Sequence, residues 1–210
     1  MHTNAKLFSA ISKRRSIRRY RPIPIGRPMI EQLIVAAAQA PSAHNRQPWR
    51  FVVLEQHERR ERLAAAMGQR LRQDRTADGD DPQSIETDVG RSRERITQAP
   101  AVVLVCIDMR DMDRYPDERR RRAEYIMAVQ STAMATQNLL LAAEQEGLGA
   151  CVMCAPLFCP DVVAEVLRLP QDWQPQILVT LGHPYASGKL RDRLPLDEIV
   201  IWPDSDQPAR

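Results

Sequence analysis

The residues best suited to binding chemistry lie in an arginine-rich segment near the start of the chain, residues 14–20, which reads RRSIRRY. Guanidinium groups present several fixed donors and keep their charge at any physiological pH, so a cluster of them beside a serine hydroxyl suits a phosphate monoester. The alternative is the solvated basic end of a helix. A second basic patch at Lys189, Arg191 and Arg193 favours a phosphate pocket that is assembled from both ends of the chain.

A second polar loop, residues 40–49 with the sequence APSAHNRQPW, carries amide side chains. The amides of Asn45 and Gln47 can both donate and accept hydrogen bonds, which is what the nitrogen and oxygen edge of an isoalloxazine ring requires. Neither of the two segments alone would indicate a flavin site. Together they predict the two halves of a site for flavin mononucleotide (FMN).

Two glycines at Gly147 and Gly149 invite comparison with a dinucleotide-binding fingerprint. That motif must follow a strand and open a helix, whereas here a helix is predicted before the glycines and a strand after them. We therefore expect a helix C-cap that leads into a strand. A backbone that passes close to a flavin ring would also explain the small residues.

The cysteines Cys151 and Cys154 form a lone CxxC, with Cys159 nearby. A zinc site would need a second ligand pair at matching spacing, and the four histidines are isolated from one another. In a strand the two cysteines point to opposite faces, which opposes chelation or an easy disulfide. We expect no metal site here.

Four consecutive arginines, residues 119–122, form a further basic cluster. They are either a solvated helix start, with Glu118 and Glu124 as neighbours, or a cationic rim for an anionic substrate. The sequence contains no Ser/His/Asp triad and no Walker loop. Any chemistry should therefore belong to a cofactor.

Apolar periodicity and the positions of the prolines predict helices that alternate with strands. After a short helix around Leu7 and Ile11, helices are expected at residues 29–40, 58–75, 85–98, 125–146 and 160–167. Strands are expected at residues 50–54, 101–107, 150–153 and 176–181. This order indicates a layered α/β or α+β sheet.

Two segments have the composition of irregular structure. Residues 76–84 contain a glycine, a proline and many polar side chains, which predicts a surface excursion that could act as a lid. Residues 183–210 contain several prolines and predict an extended arm that needs a partner subunit to wrap around. We expect residues 1–210 to form a single domain that includes this arm.

Composition narrows the class of protein. The chain has 210 residues, with 30 Lys and Arg against 27 Asp and Glu, so its net charge is too small for a polybasic nucleic-acid or membrane binder. No apolar run reaches the roughly 20 residues that span a bilayer, and no secretory leader is recognisable. Four cysteines do not suggest a disulfide scaffold. A cytoplasmic protein is expected.

The two loops, a long helix of small residues, the Gly-x-Gly turn and the basic tail occur in an order that resembles the nitroreductase family of FMN-dependent oxidoreductases. The resemblance covers residues 5–202. Within it, four segments are most similar to the reductase domain at the C-terminal end of the bifunctional proteins that make the deazaflavin coenzyme F-420. They are Asp74 ahead of Asp78-Gly79, residues 115–117 (YPD), residues 169–175 (LPQDWQP) and residues 190–193 (LRDR).

The resemblance implies an α+β sandwich around a central mixed β-sheet, flanked by helices, in a domain-swapped homodimer with FMN at the subunit interface. It implies that Asp74 lies near the substrate. It places Cys154 where these relatives carry glycine, beside the flavin. The residues implied to bind FMN are Arg14, Arg15, Ser16, Ile17, Arg18, Ser42, Asn45, Gln47, Cys154, Arg191 and Arg193, with Lys189 as a further assignment.

The implied activity is hydride transfer from reduced FMN to an electron-poor double bond, most specifically the enolpyruvyl unit of dehydro coenzyme F-420, a small anionic deazaflavin. No catalytic side chain is expected, because the flavin N5 carries the chemistry. A broad NAD(P)H-dependent nitro or quinone reductase is the alternative within this class. A non-catalytic flavin or F-420 binding protein, and a nucleic-acid-binding dimer that uses residues 119–122, are the alternatives outside it.

Overall fold

Four strands form one sheet in the computed structural model, which describes residues 3–203 and their side chains from residue 7 onward. The strands are β1 (Trp49–Leu54), β2 (Ala101–Asp108), β3 (Gly149–Met153) and β4 (Trp173–Gly182), in the order β1-β2-β4-β3. All three neighbouring pairs are antiparallel. We expected a mixed sheet. Within the described residues, its parallel component is a single bridge between Ser16 and Ala150.

Seven helices accompany the sheet within the described residues. They are α1 (Thr3–Lys13), α2 (Arg27–Ala37), α3 (His57–Ala77), α4 (Pro82–Thr97), α5 (Glu118–Gln145), α6 (Pro160–Leu167) and α7 (Leu196–Ile199). Short 3-10 turns occupy Ala43–Asn45 and Ala155–Phe158. None of these helices is both long and apolar enough to cross a membrane.

The sheet is buried on both faces, and β2 lies at its centre with every residue buried. Val103 and Val105 belong to a core that includes α2 and α5, while Val102 and Leu104 belong to a second core that includes α3, α4 and α6. Successive residues of a strand point to opposite faces. The arrangement is therefore a helix–sheet–helix sandwich, as expected for an α+β fold.

The irregular loop expected over residues 76–84 was wrong. Helix α3 continues to Ala77 and α4 begins at Pro82, so only four residues connect the two helices. The connection is held by Arg75, whose guanidinium lies 2.5 Å from Asp80 and 2.6 Å from Asp88. Proline is favoured in the first turn of a helix, where its missing N–H leaves no bond unmade.

Candidate functional site

The arginine-rich turn, residues 14–20, is attached to the edge strand β3. The backbone N–H of Ile17 donates to the carbonyl of Ala150 at 2.9 Å, and the Ile17 side chain is buried. A Cβ atom on Gly149 would lie 2.7 Å from two carbons of Ile17, well inside ordinary carbon–carbon contact. The packing of the turn is thus sufficient to explain the glycine at position 149.

Hydrogen bonds of Tyr20 hold the other end of the turn in place. Its hydroxyl oxygen lies 2.6 Å from the carbonyl oxygen of Ile17 and 2.7 Å from Oγ1 of Thr180. Burial raises the pKa of the Tyr20 phenol, so the hydroxyl stays protonated and able to donate. The turn is held from both sides, which fixes the backbone that carries the arginines.

The tail crosses directly over this turn. The N–H of Tyr185 donates to the carbonyl of Arg19 at 3.1 Å. A Cβ on Gly188 would lie only 2.4 Å from Cβ of Arg15, so the close crossing requires glycine at this position. The second basic patch is thereby brought next to the first.

The turn and the tail enclose a cavity of about 540 Å³, which we call the basic cavity. It is lined by Arg14, Arg15, Ser16, Ile17, Arg18, Arg19, Tyr185, Ala186, Ser187, Gly188, Lys189, Arg191 and Arg193. Eight of these residues were predicted from the sequence to bind FMN, and Arg19 belongs to the same arginine-rich segment. The tail residues 185–188 were missed, because they carry no charge and no distinctive pattern.

The basic cavity carries uncompensated positive charge. Seven of its lining residues are Lys or Arg and none is Asp or Glu. None of the seven makes an ion pair within residues 3–203, whereas Arg70, Arg72 and Arg75 on α3 all do. Such a surplus of guanidinium donors, beside the Ser16 and Ser187 hydroxyls, suits a phosphate group.

The polar loop, residues 40–49, has a strained backbone over residues 44–47. His44, Asn45 and Gln47 have φ of 49°, 54° and 49°, in the left-handed region that side chains other than glycine seldom adopt. The Gln47 N–H donates to Oγ of Ser42 at 3.0 Å, and the Ala43 N–H donates to Oγ of Ser131 on α5 at 3.4 Å. Strain of this kind persists where the surroundings enforce it, commonly at ligand sites.

Two arginines, Arg46 within the polar loop and Arg50 directly after it, hold the loop in place. Arg50 donates to the carbonyl of Gln47 at 2.9 Å and lies 3.1 Å from the fully buried carboxylate of Asp108. Arg46 pairs with Asp113 at 2.8 Å. Hydrogen bonding from Arg110 is the main reason that the pKa of Asp108 lies below its usual value. Arg50 and Asp108 were not predicted from the sequence, because a charged residue in or beside a strand is usually part of the ordinary surface.

The basic cavity and the polar loop are separate in one chain. No residue of the polar loop lines the basic cavity, although Asn45 and Gln47 are exposed. Cys154 is exposed at the end of β3, where it precedes the 3-10 turn. The structure therefore groups the predicted phosphate residues together and leaves the predicted ring residues on another surface.

Asp74 lies apart from both groups. It is exposed near the end of α3. Burial is the main reason that the pKa of Cys159 is raised, and the carboxylates of Asp161 and Asp74 add to that effect. Asp74 thus faces the start of α6, and it does not line the basic cavity.

The remaining sequence candidates have structural explanations. Cys151 is buried in β3 while Cys154 is exposed. Within the described part of the chain, no group of three or more metal-ligating side chains could hold a metal ion. Of the arginines in residues 119–122, Arg120 pairs with Asp117 and Arg121 with Glu118 in the first turn of α5.

The sequence model of the nitroreductase family matches residues 11–183 of this chain. The chain belongs to the nitroreductase family. It is an FMN-dependent oxidoreductase of that family, with the family's α+β fold. The match begins shortly before the arginine-rich turn and ends at the residue after β4, so it contains both segments singled out above.

Individual relatives agree with this assignment. An NADH dehydrogenase of Thermus thermophilus is 31% identical, over 92% of this chain and 94% of the relative. A Desulfovibrio desulfuricans protein, assigned as a nitroreductase and solved in complex with FMN, is 26% identical with a TM-score of 0.73, over 93% of this chain and 95% of that one. A BluB-like flavoprotein of Clostridium difficile shares the fold, with a TM-score of 0.77 at 22% identity and coverage of 93% and 98%.

Proposed function

We propose that the protein is a broad NAD(P)H-dependent reductase of nitro or quinone compounds, with FMN anchored by its phosphate in the basic cavity. The observation that carries the proposal is the set of seven cations that face one cavity and have no carboxylate partner within residues 3–203. A phosphate dianion would neutralise part of this charge. The relatives described as NADH dehydrogenase and NAD(P)H nitroreductase support the choice of electron donor.

Each predicted residue has a distinct part in this assignment. Arg14, Arg15, Arg18, Arg191 and Arg193 hold the phosphate, aided by the Ser16 hydroxyl and, as a weaker assignment, by the ammonium group of Lys189. Ile17 lines the cavity and holds the turn in place, since its N–H donates to Ala150 and its carbonyl accepts from Tyr20. When bound, FMN supplies two-electron hydride chemistry at its ring.

The polar loop is assigned to the edge of the flavin ring. Asn45 and Gln47 offer two exposed amides and Ser42 a half-buried hydroxyl, and the loop's fixed backbone presents them without reorganisation. Cys154 lies beside the same ring in this assignment, with a side chain where the relatives named by the sequence resemblance have glycine. No side chain is required to move a proton or act as a nucleophile.

A homodimer would complete the site. The polar loop of one chain does not line its own basic cavity, so we assign the ring edge to the loop of a second subunit. Apolar side chains are also exposed at both ends of the chain, namely Leu7, Phe8 and Ile11 on α1 and Leu190, Leu194, Leu196, Ile199 and Ile201 in the tail. Exposed apolar side chains in such numbers are candidates for a subunit interface, and sedimentation velocity would test for the dimer.

Reduction of dehydro coenzyme F-420 is the narrower alternative. It rests on the similarity of four sequence segments and on the assignment of Asp74 to the substrate. The position of Asp74 near Cys159, away from the basic cavity, gives it no additional support. We therefore rank the broad reductase first and include the deazaflavin as one arm of the assay.

The experiment begins with the visible spectrum of the purified protein before and after addition of FMN. The expected result is a flavin band that is bleached anaerobically by NADH or NADPH and restored by a nitroaromatic or a quinone. The double variant Arg14→Ala/Arg18→Ala should lose FMN, while Arg119→Ala/Arg122→Ala removes equal charge elsewhere and should retain it. A protein that stays colourless in excess FMN refutes the proposal, and reoxidation by dehydro coenzyme F-420 alone selects the narrower alternative.

A further inference from the structure

A second cavity of about 540 Å³ opens between α3 and α6 and shares no residue with the basic cavity. It is lined by Arg59, Arg62, Glu165, Val166, Leu167 and Arg168, and we call it the α3–α6 cleft. Its volume lies within the range of small-molecule sites, about 300–1,000 Å³. The assignment of FMN to the basic cavity leaves this space without a function.

The two helices that form the cleft are joined at one end. Arg70 of α3 contacts Asp161 of α6 through two N–H···O bonds, at 3.2 Å and 2.5 Å. Arg59 and Arg62 lie about two to three turns earlier in α3, opposite the last turn of α6. A double hydrogen bond at one end and an open mouth at the other give the cleft a defined shape.

The mouth of the cleft has cations on both walls. Arg59 and Arg62 are three residues apart and so share one face of α3, while Arg168 projects from the end of α6. Within residues 3–203, neither Arg62 nor Arg168 makes an ion pair or a side-chain hydrogen bond, and Arg59 bonds only the amide of Gln56 at 3.0 Å. With Glu165 as the one acidic lining residue, the cleft keeps a surplus of two positive charges.

Arg168 occupies a position that suits glycine better. Its φ of 53° and ψ of 49° are left-handed, at the C-cap where helices usually carry glycine. The backbone alone gives no reason for an arginine there. A role for its guanidinium in the cleft does give one.

The floor of the cleft is apolar, since Val166 and Leu167 are half-buried against the second core. Guanidinium groups bind phosphate oxygens in pairs and also stack on planar rings. We propose that the α3–α6 cleft binds a phosphate-bearing small molecule of nucleotide size, with its phosphates between Arg62 and Arg168 and its less polar part on the floor. Concave shape and an apolar floor favour such a ligand over an acidic protein surface.

The test is isothermal titration of FMN-saturated protein at low salt, so that the basic cavity is already filled. The probes are ADP, inorganic pyrophosphate and adenosine. We expect ADP to bind saturably, with one site per chain, and adenosine not to bind. If pyrophosphate binds as tightly as ADP, the phosphates alone are recognised. If ADP binds more tightly than pyrophosphate, the apolar floor also contributes. Both results support the proposal.

Matched variants locate the binding. Arg62→Ala and Arg168→Gly should each raise the Kd for ADP about tenfold or more, as loss of a charge-assisted hydrogen bond predicts. Glycine suits the left-handed backbone at this position, so Arg168→Gly should fold normally. Arg119→Ala, which removes an exposed arginine from α5, should leave the Kd unchanged.

Three results would overturn the proposal. The first is the absence of saturable heat with ADP and with pyrophosphate up to millimolar concentration. The second is ADP binding that Arg62→Ala and Arg168→Gly do not weaken, which would place the nucleotide elsewhere. The third is binding of polyglutamate with the same arginine dependence but no binding of ADP, which would identify a docking surface for an acidic protein.

Discussion

Replacing Gly149 with alanine should weaken the attachment of the arginine-rich turn to strand β3. The new Cβ would lie 2.7 Å from Cβ and Cγ2 of Ile17, about 1 Å inside the ordinary contact distance. Both of these Ile17 atoms lie close to the backbone, so rotation of a flexible side chain cannot relieve the clash. The turn, residues 14–20, must move outward.

The expected magnitude follows from the contacts that this movement loosens. The Ile17 N–H bond to Ala150 contributes about 1 kcal/mol net, and partial exposure of the Ile17 side chain costs up to roughly 2 kcal/mol. We expect a loss of about 2–3 kcal/mol in the free energy of unfolding, measured by urea titration. A displacement of the arginines should also raise the Kd for FMN about tenfold or more, measured by quenching of flavin fluorescence.

Gly90→Ala is the matched control. Gly90 is exposed in α4, and a Cβ there meets no atom within 4 Å. The same substitution should therefore stabilise the protein by about 0.5–1 kcal/mol, through helix propensity, and leave FMN affinity unchanged. If Gly149→Ala behaved like Gly90→Ala in both assays, the packing argument would be wrong. If it lost stability but kept full FMN affinity, the turn would not hold the phosphate.

Three further substitutions test the supports of the site. Tyr20→Phe should lower the free energy of unfolding by about 1–3 kcal/mol in urea titrations, because it leaves the Ile17 carbonyl and the Thr180 hydroxyl without this partner. Asp108→Asn should cost about 1–2 kcal/mol at pH 7. Because the folded pKa of Asp108 is lowered, its contribution is present at neutral pH and is lost as the pH falls through that pKa, so the difference between wild type and variant should close below about pH 4. Gln47→Gly should raise the free energy of unfolding by up to about 1 kcal/mol, because glycine relieves the left-handed strain, yet lower FMN affinity in the fluorescence assay; equal affinity would remove Gln47 from the site.

The helices and strands predicted best from sequence are those in which the local residue preferences and the pattern of burial indicate the same structure. Helix α6 was expected at residues 160–167 and occupies those residues. Strand β2 was expected at residues 101–107 and ends one residue later, because a run of apolar residues bounded by Pro100 has few other structures open to it. In these segments local preference and burial agree.

The errors occurred where one residue type serves two purposes. Pro82 suggested a loop, but it occupies the first turn of α4, after Asp81, whose carboxylate accepts from the Ser84 N–H at 2.8 Å. Helix α5 was expected from Tyr125 and begins at Glu118, after Asp117 caps it through the Arg120 N–H at 2.9 Å. In both cases a proline and an aspartate mark a helix start. At Pro82 they were interpreted as a loop, whereas a helix start was one of two open interpretations of residues 119–122.

The site was predictable in composition but not in assembly. The arginines and the tail cations were visible as two basic patches, and their charge identified phosphate as the ligand to expect. Their convergence depends on Gly149, Gly188 and Tyr20, whose partners are known only once the chain is folded. Contacts between distant segments leave no local periodicity, so the sequence alone could not show the basic cavity.

The position of the turn gives its charge a second physical role. Strand β3 lies at the edge of the sheet, and on its open side the described residues contribute the single bridge from Ser16 to Ala150. An exposed edge can pair with another chain, and proteins commonly block such edges with charged residues. The arginines that offer donors to a phosphate therefore also discourage edge pairing. A mutation that neutralises them should therefore weaken phosphate binding and also leave the edge of β3 less protected against pairing with another chain.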